Sequence, residues 1–412
     1  MTSPPEVSYR SLFDGPGRKW FLSATALGRL PNYMRTISCI LMVEQITDSY
    51  GIAGMVGATQ GLVFALVAPV LGRMIDLRGE RRVILWALLT HIAGVCVLIG
   101  AAYSNLPSAF MLIGAGIFGG SAVQFGSISR ARWARVLNGG RALERAYALE
   151  GIIDEVGFIL SPMVAVLMAL QVHPTAGVLA SLAFTALATL MLVVQRAIPA
   201  TIQPAGETVS SGKQRIGAVI RIPTVTLVSA GLLLMGTFYG SIQITAVAFT
   251  QDLGNPQAVG WIAIAIGIAS LLGAALYGAR SWPGSIAAKI VVTFWWVGLS
   301  SILFLVSPNI PAIMVAGFVM GLASAPAVIA ANVLIEQVAP PERITEAFTW
   351  LTSALASGSA IGAITAGYLV DEYGVRAGML NGVAGGVACA FCVTIGWRLL
   401  RTPEPNPILQ IP

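Results

Sequence analysis

The sequence alternates long apolar runs with short polar segments. Twelve of the runs are long enough to cross a bilayer as helices, at about 20 residues per crossing. This pattern predicts an all-α membrane protein with twelve transmembrane helices. The predicted limits of the helices are 20–46, 52–74, 83–103, 108–128, 145–171, 176–195, 223–250, 258–277, 285–306, 311–335, 345–370 and 377–400.

The composition agrees with this interpretation. Hydrophobic residues make up 56% of the 412 residues, charged residues make up only 10%, and the mean hydropathy is +0.81. A soluble domain carries about 25% charged residues, so a soluble fold is excluded. Residues 1–19 are polar, and no cleavable signal sequence is expected there.

The net charge is +6, and the distribution of the cations along the chain agrees with the predicted topology. With twelve helices, Arg376 is the one cation in the outer segments, whereas eleven or thirteen helices would scatter cations over both faces. Because Lys and Arg are retained inside during insertion, both termini are expected in the cytoplasm and the protein in the plasma (inner) membrane. The cations are spread over loops, so the expected partner is the lipid bilayer and no nucleic acid.

Enzyme chemistry is not expected. Cys389 and Cys392 have the spacing of a redox pair, but they lie in an apolar run without flanking charge. His91 and His173 are isolated, which argues against a metal site. The sequence has no Gly-x-x-x-x-Gly-Lys-Ser/Thr segment for nucleotide binding and no catalytic triad. We therefore expect no cofactor and no catalytic residues.

The polar segment 72–82 lies between the second and third apolar runs and contains four arginines. It is predicted to be a tight cytoplasmic loop. Gly72 would let neighbouring helices approach closely, and Gly79 would supply a turn that needs no Cβ. Asp76 can cap the N-terminus of another helix, or pair with a neighbouring cation, Arg78 or Arg82.

This segment resembles the signature of the major facilitator superfamily, Gly-x-x-x-Asp-Arg-x-Gly-Arg-Arg. Its matching positions are Gly72, Asp76, Gly79 and Arg81, whereas Leu77 and Glu80 depart from the signature. The resemblance implies alternating access, with these matching residues acting as a conformational latch in the outward-facing state. The other interpretation is an ordinary basic inner loop, common to any polytopic protein.

The two halves of the chain repeat a glycine pattern. The spacing of Gly54, Gly61 and Gly72 recurs at Gly260, Gly267 and Gly278. Parallel repeats are typical of this superfamily, with substrate bound near the midplane. We therefore expect two pseudo-symmetric six-helix bundles, 1–195 and 222–412, joined by a cytoplasmic linker at 196–221, and a monomeric protein.

The fifth predicted helix adds a finer resemblance, to drug–proton antiporters. These carry Gly-x-x-x-Gly-Pro-x-x-Gly-Gly there, and this chain has Gly157, Ser161 and Pro162. Gly358 and Gly362 occupy the corresponding place in the second half. Small residues let helices pack closely. In the family this pattern accompanies export, although generic helix packing would explain it equally.

Five ionisable residues lie at membrane depth, where each costs about 3 kcal/mol or more. They are Arg29, Arg35, Glu150, Asp154 and Glu155. The hypothesis is that Arg29 or Arg35 pairs with the acids, leaving a surplus carboxyl that exchanges protons, with Asp154 and Glu155 as the best candidates. A static ion-pair network is the alternative. The fourth predicted helix lacks the arginine that such antiporters often carry, so Arg29 or Arg35 would have to replace it.

In this superfamily the first helix of each three-helix repeat lines the cavity. Carried onto this chain, the cavity residues are expected to be Asn32, Tyr33, Thr36, Gln124, Phe125, Tyr239, Gln243 and Asn332, with Trp350 from the eleventh helix. One wall would be charged and the other apolar and aromatic. This favours a mostly hydrophobic organic solute, cations included.

The sequence therefore predicts a secondary active transporter that exports a small amphipathic organic compound by proton antiport. An uptake permease for a small metabolite is the alternative within the same fold. A membrane receptor or scaffold that keeps the fold without transporting is the alternative from another class.

Overall fold

A computed structural model describes residues 12–14, 16–104, 106–137, 140–195, 217–255 and 257–401. These residues form fourteen α-helices, and no strand occurs among them. The helices are α1 Arg18–Thr47, α2 Tyr50–Arg78, α3 Glu80–Tyr103, α4 Ser108–Gly120, α5 Phe125–Val136, α6 Gly140–Gln171, α7 Ala176–Val194, α8 Pro223–Asp252, α9 Ala258–Ala279, α10 Ile286–Val306, α11 Ile310–Val338, α12 Ile344–Tyr373, α13 Val375–Ile395 and α14 Trp397–Arg401. The all-α prediction is confirmed.

Eleven helical segments in the described chain are long and apolar enough to cross a membrane, with α4 and α5 together forming one of them. The 30-residue α1 is long enough for a twelfth crossing. Large apolar side chains on these helices face outward, including Leu66 at 66% exposure and Ile364 at 72%. Such surfaces require lipid, and the predicted twelve-helix architecture is consistent with them.

The connection between α2 and α3 is shorter than the sequence indicated. Helix α2 continues to Arg78 and α3 begins at Glu80, so most of the segment predicted as a loop is helical. Gly79 alone lies outside the two helices, with φ 86° and ψ 138°. Residues that carry a Cβ rarely adopt this backbone angle φ, whereas glycine adopts it readily, and this makes the one-residue turn possible.

The fourth predicted helix, 108–128, is interrupted. Helix α4 ends at Gly120 and α5 begins at Phe125, and the intervening residues 121–124 are buried. Ser121 N–H donates to the Ile117 carbonyl at 3.0 Å, which closes the last turn of α4. Glycine pairs and serine are weak helix formers, which explains where the helix stops. Arg130, Arg132 and Arg135, which follow the predicted end of this helix at 128, lie in α5.

The described chain divides into two compact units, and α6 and α12 contribute to both. Unit 1 contains Met1–Asn138, Val156–Ala218 and Pro341–Thr349. Within it α1 packs against α2 and α7, and α4 packs against α2 and α3. Glycines bring α3 and α4 into backbone contact, because a Cβ at Gly94 would lie 2.6 Å from the Phe118 nitrogen.

Unit 2 contains Gly139–Glu155, Val219–Pro340 and Trp350–Pro412. Within it α8 packs against α13, α9 against α11, and α10 against both α11 and α13. Helix α12 also lies directly on α8, because a Cβ at Gly358 or Gly362 would overlap the carbonyls of Leu233 and Thr237. These two glycines therefore occupy a helix contact that has no room for a side chain.

Replacing Gly362 by alanine should destabilise unit 2 by about 1–3 kcal/mol, since the added methyl group would force α12 away from α8. Gly367 lies in the same helix with open space around its Cβ position. Gly367→Ala should leave stability unchanged or raise it by up to about 1 kcal/mol. SDS-induced unfolding of the purified protein measures both. Equal effects of the two substitutions would contradict the close packing of α8 and α12.

Candidate functional site

The carboxylate of Asp76, near the end of α2, caps the N-terminus of α12. The backbone N–H of Glu346 donates to its Oδ2 at 2.9 Å, and the N–H of Thr345 approaches its Oδ1 at 3.4 Å. The first N–H groups of a helix have no partner within it, and they carry partial positive charge. Of the alternatives raised for Asp76, capping is the one observed, and its cation partner is Arg135 rather than Arg78 or Arg82, with Nη2 at 3.6 Å.

A second acid, Glu346, lies in the same cluster and is fully buried. Its carboxylate lies 3.5 Å from Nε of Arg73, which is also fully buried, and 3.8 Å from Nη1 of Arg343. It also accepts a hydrogen bond from the backbone N–H of Gly217 at 2.9 Å. Arg73 in turn donates to the carbonyl of Glu342 at 3.0 Å. Ion pairs between acidic and basic side chains therefore fix the start of α12.

Gly72 makes this contact sterically possible. A Cβ at Gly72 would lie 2.6 Å from Oγ1 of Thr349 and 3.2 Å from the Thr345 carbonyl. Helix α2 and the first turns of α12 therefore touch directly at this glycine. Gly72 and Asp76 act on the same partner, and Gly79 ends the helix that carries them.

Arg81 belongs to the same signature segment as Asp76, but it takes part in a separate hydrogen-bond network. It donates to the backbone carbonyl of Gln195. The Gln195 side chain accepts from Arg132 and donates to the Gly17 carbonyl at 2.7 Å. Arg132 forms a two-pronged pair with Glu80, with Nη2–Oε1 at 2.6 Å and Nε–Oε2 at 3.2 Å. We call Glu80, Arg81, Arg132 and Gln195 the α3–α5 network.

The sequence interpretation missed the Glu80–Arg132 pair. In the sequence, Glu80 stands out only as a departure from the family signature, and Arg132 lies beyond the predicted end of the fourth helix. Both side chains are 1% exposed. An acid at a position where a base is usual indicates that a cation elsewhere has become its partner, and that signal was available in the sequence.

The ionisable residues at membrane depth divide between the two units. In unit 1, Arg29 is fully buried, with its Nε 3.3 Å from the Cβ position of Gly126 in α5. In unit 2, Glu150 is fully buried and Asp154 is half-buried. Arg29, Glu150 and Asp154 each have an interaction partner.

Glu155 has a neutral partner. Its Oε1 lies 2.6 Å from the hydroxyl of Ser270 in α9. Among the described residues of unit 2, no Lys, Arg or His side chain lies within 4.0 Å of its carboxylate. Glu155, one of the three acids of the fifth predicted helix, is therefore held by a hydroxyl group.

Arg35 is 2% exposed and makes no ion pair with a described carboxylate of unit 1. Its Nη2 donates to the Asn32 side chain at 3.3 Å, and its guanidinium lies 4.8 Å from the centre of the Phe64 ring.

The expected cavity residues of unit 1 have different surroundings. Tyr33 packs edge-on against Phe158 at 5.4 Å, and Thr36 donates to Gln60 at 2.6 Å. Gln124 immediately precedes α5 and is 9% exposed. Phe125 is 1% exposed, and its ring fills the space left by Gly28 of α1.

The expected cavity residues of unit 2 include one side chain with an unused donor. Tyr239 donates to Ser324 at 2.8 Å, and Asn332 donates to the Val328 carbonyl at 2.9 Å. Gln243 is exposed. The indole N–H of Trp350 is buried and has no hydrogen-bond partner among the described residues.

Gly157 of α6 has ordinary packing distances around it within unit 1. A Cβ at Gly157 would meet Tyr33 at an ordinary distance of 3.8 Å. Ser161 donates back to the Gly157 carbonyl, and Pro162 lies within the helix.

Comparison with known proteins decides the family. Residues 24–290 and 228–412 match the family model of the Major Facilitator Superfamily. The chain belongs to the major facilitator superfamily. No curated protein matches its sequence.

Solved structures show the same fold at low identity. The human organic anion transporter MFSD10 (TETRAN) is 17% identical, with a TM-score of 0.72, over 94% of this chain and 100% of that chain. A bacterial homologue of the iron transporter ferroportin, in the outward-facing state, is 13% identical with a TM-score of 0.74, over 92% and 98%. The E. coli fucose:proton symporter FucP is 13% identical with a TM-score of 0.67, over 93% and 98%.

This major facilitator superfamily member is therefore a multi-pass membrane protein built as a secondary transporter of small molecules. The family and the transporters that share its fold point to transport rather than to an enzyme.

Removing either partner of the Glu80–Arg132 pair should destabilise the protein by about 3–5 kcal/mol, because a buried charge is left unpaired. Glu80→Leu and Arg132→Met should each show this loss, and the double variant should recover most of it. SDS-induced unfolding of the three variants forms a double-mutant cycle. Additive losses in the double variant would show that the two side chains do not depend on each other.

Proposed function

We propose that this transporter exports a small amphipathic organic compound in exchange for protons, by alternating access. The observation that carries the proposal is the Glu155 carboxyl, which lies in a membrane helix and is held by the Ser270 hydroxyl. The protein acts as a monomer in the plasma (inner) membrane, with both termini in the cytoplasm.

The partner of Glu155 suits a group that gains and loses a proton. A hydroxyl can donate to a carboxylate, and it can also accept from a carboxylic acid. Ser270 therefore keeps its hydrogen bond in either protonation state of Glu155. A cation partner would instead hold the charged form, as Arg132 holds Glu80.

The cap on α12 serves as the latch. Asp76 accepts from the first N–H groups of α12, while Arg73, about one turn before Asp76 in α2, pairs with the side chain of Glu346. A carboxylate at a helix N-terminus contributes about 0.3–1 kcal/mol, and more when it is partly buried. A contact of this size holds one state of the cycle and can still be broken as the transporter turns over.

The arginines around the latch support the proposed orientation. Arg73 near the end of α2 and Arg135 near the end of α5 contact the start of α12 or its cap, and Arg81 and Arg132 belong to the α3–α5 network, whose Glu80 follows directly on Gly79. By the positive-inside rule this end is cytoplasmic. The bundles 1–195 and 222–412 remain our proposed domains. Most of the linker at 196–221 falls outside the described residues, which resume at 217.

Glu155→Gln should abolish transport driven by a proton gradient, since an amide cannot take up the proton. Substrate exchange at equal pH should persist, because it requires no net proton movement. The assay uses proteoliposomes with a pH-sensitive dye and a panel of lipophilic cations, neutral drugs and organic acids. Asp154→Asn tests the neighbouring acid, and Glu372→Gln, at an exposed position, is the matched control. Gradient-driven transport that survives in both Glu155→Gln and Asp154→Asn would exclude coupling through these acids.

Asp76→Asn should slow turnover without unfolding the protein. Asparagine keeps one acceptor for the α12 N-terminus but loses the charge, worth about 1 kcal/mol, or about fivefold in rate. Turnover in proteoliposomes and thermal unfolding measure the two properties. Asp371→Asn, which removes an exposed acid near the other end of α12, is the control. A wild-type rate in Asp76→Asn would contradict the latch.

A further inference from the structure

Arg35 is a buried cation whose hydrogen bonds are largely unmade. Its side chain is 2% exposed, and its Nε has no hydrogen-bond partner among the described residues. One nitrogen, Nη2, donates to the neutral Asn32. No described carboxylate of unit 1 lies within 4.0 Å of the guanidinium.

This arrangement is costly unless another group completes it. Buried charges in proteins are normally paired, because burial removes the water that would otherwise solvate them. The Phe64 ring, 4.8 Å from the guanidinium carbon, provides a cation–π contact. A ring face and one amide oxygen do not neutralise a cation that has five N–H donors. Among the described residues of unit 1, no group therefore balances the charge of Arg35.

A second buried polar side chain near Arg35 has one ring nitrogen without a hydrogen-bond partner among the described residues. His91 in α3 is fully buried, and Arg35 is close enough for its charge to act on the ring. Nδ1 of His91 lies 3.0 Å from the Ser121 hydroxyl, which itself donates to the Ile117 carbonyl at 2.7 Å. The opposite ring nitrogen, Nε2, is buried without a hydrogen-bond partner.

The interruption between α4 and α5 places Ser121 at this point. Ser121 is the first residue after α4. Irregular backbone at membrane depth is tolerated where it is buried in protein or lines a cavity, and interrupted helices form the substrate sites of several transporter folds. The neighbouring rings are apolar: the Phe118 ring is tilted by 40° against His91, with 4.5 Å between ring centres, and the Phe64 ring faces Arg35.

We infer that Arg35 binds the carboxylate of an aromatic or aliphatic organic acid, which is the substrate class of this transporter. A guanidinium binds a carboxylate through two parallel N–H···O bonds, and its free Nε supplies one of them. The apolar part of the solute packs against the phenyl rings, and His91 Nε2 is available to a further polar group. The inference rests on the proposed transport cycle, because so buried a side chain becomes accessible only when the protein changes conformation.

Thermal unfolding of the purified full chain in detergent tests the site with three probes of equal size. They are 4-phenylbutyrate, 4-phenylbutyramide and 4-phenylbutylamine, which are anionic, neutral and cationic. The wild type should be stabilised by the acid and not by the amine. Arg35→Gln should weaken binding of the acid by about 10- to 100-fold, the effect of losing a charged hydrogen bond. Arg376→Gln removes an exposed cation and should bind as the wild type does.

Arg35→Met separates a ligand role from a structural one. If Arg35 serves to bind an anionic ligand, replacing it by methionine should leave the melting temperature of the ligand-free protein equal or higher. Stabilisation by 4-phenylbutyrate should be lost. A lower melting temperature in Arg35→Met together with retained binding of the acid would show that Arg35 is structural. The proposal is also overturned if the acid fails to stabilise the wild type or if the amine stabilises it more.

Binding is measured without a proton gradient, so it is independent of the Glu155 experiment. Loss of proton coupling with retained binding at Arg35 would overturn the antiport mechanism alone. Normal coupling with unchanged anion binding in Arg35→Gln would overturn the Arg35 assignment alone.

Discussion

A bilayer cannot solvate charge, so each ionisable side chain within the membrane helices needs compensation from the protein itself. The chain meets this requirement in four ways. Backbone N–H groups of a helix terminus hold Asp76, and an arginine holds Glu80. A hydroxyl holds Glu155, and Arg35 has an aromatic face and an amide. These four solutions differ in how easily they can be reversed, and this difference separates structural charges from candidates for function.

The helical architecture was predictable because crossing a membrane sets a simple length requirement. Runs of about 20 apolar residues identify the helices whatever their neighbours are. The interruption at 121–124 escaped prediction because Ala122 and Val123 are themselves apolar, so that hydropathy barely changes across it. The turn at Gly79 was expected, but the polar residues around it suggested a loop. They are helical because their side chains find partners in α5 and α12.

The sequence was sufficient to predict which residues belong to the candidate site, but not which residues they contact. Sequence reasoning singled out Asp76, Glu155 and Arg35 because charge is rare in an apolar chain. It could not assign their partners, since Asp76 meets a helix start 269 positions away and Glu155 meets a serine 115 positions away. The sequence also could not show how the expected cavity residue Phe125 packs, because its ring fills the space left by a glycine in α1.

The one-residue turn at Gly79 couples the end of α2 to the start of α3, so that these two helix ends should move together. Asp76 precedes this turn and Glu80 follows it, so the cap on α12 and the α3–α5 network are joined by a few stiff peptide units. A movement of the α12 N-terminus that displaces Asp76 would also displace Glu80 and so strain its ion pair with Arg132. Through Arg132 the strain would reach Gln195, the last described residue before 196–216. By the same route, tension applied at Gln195 would reach the cap.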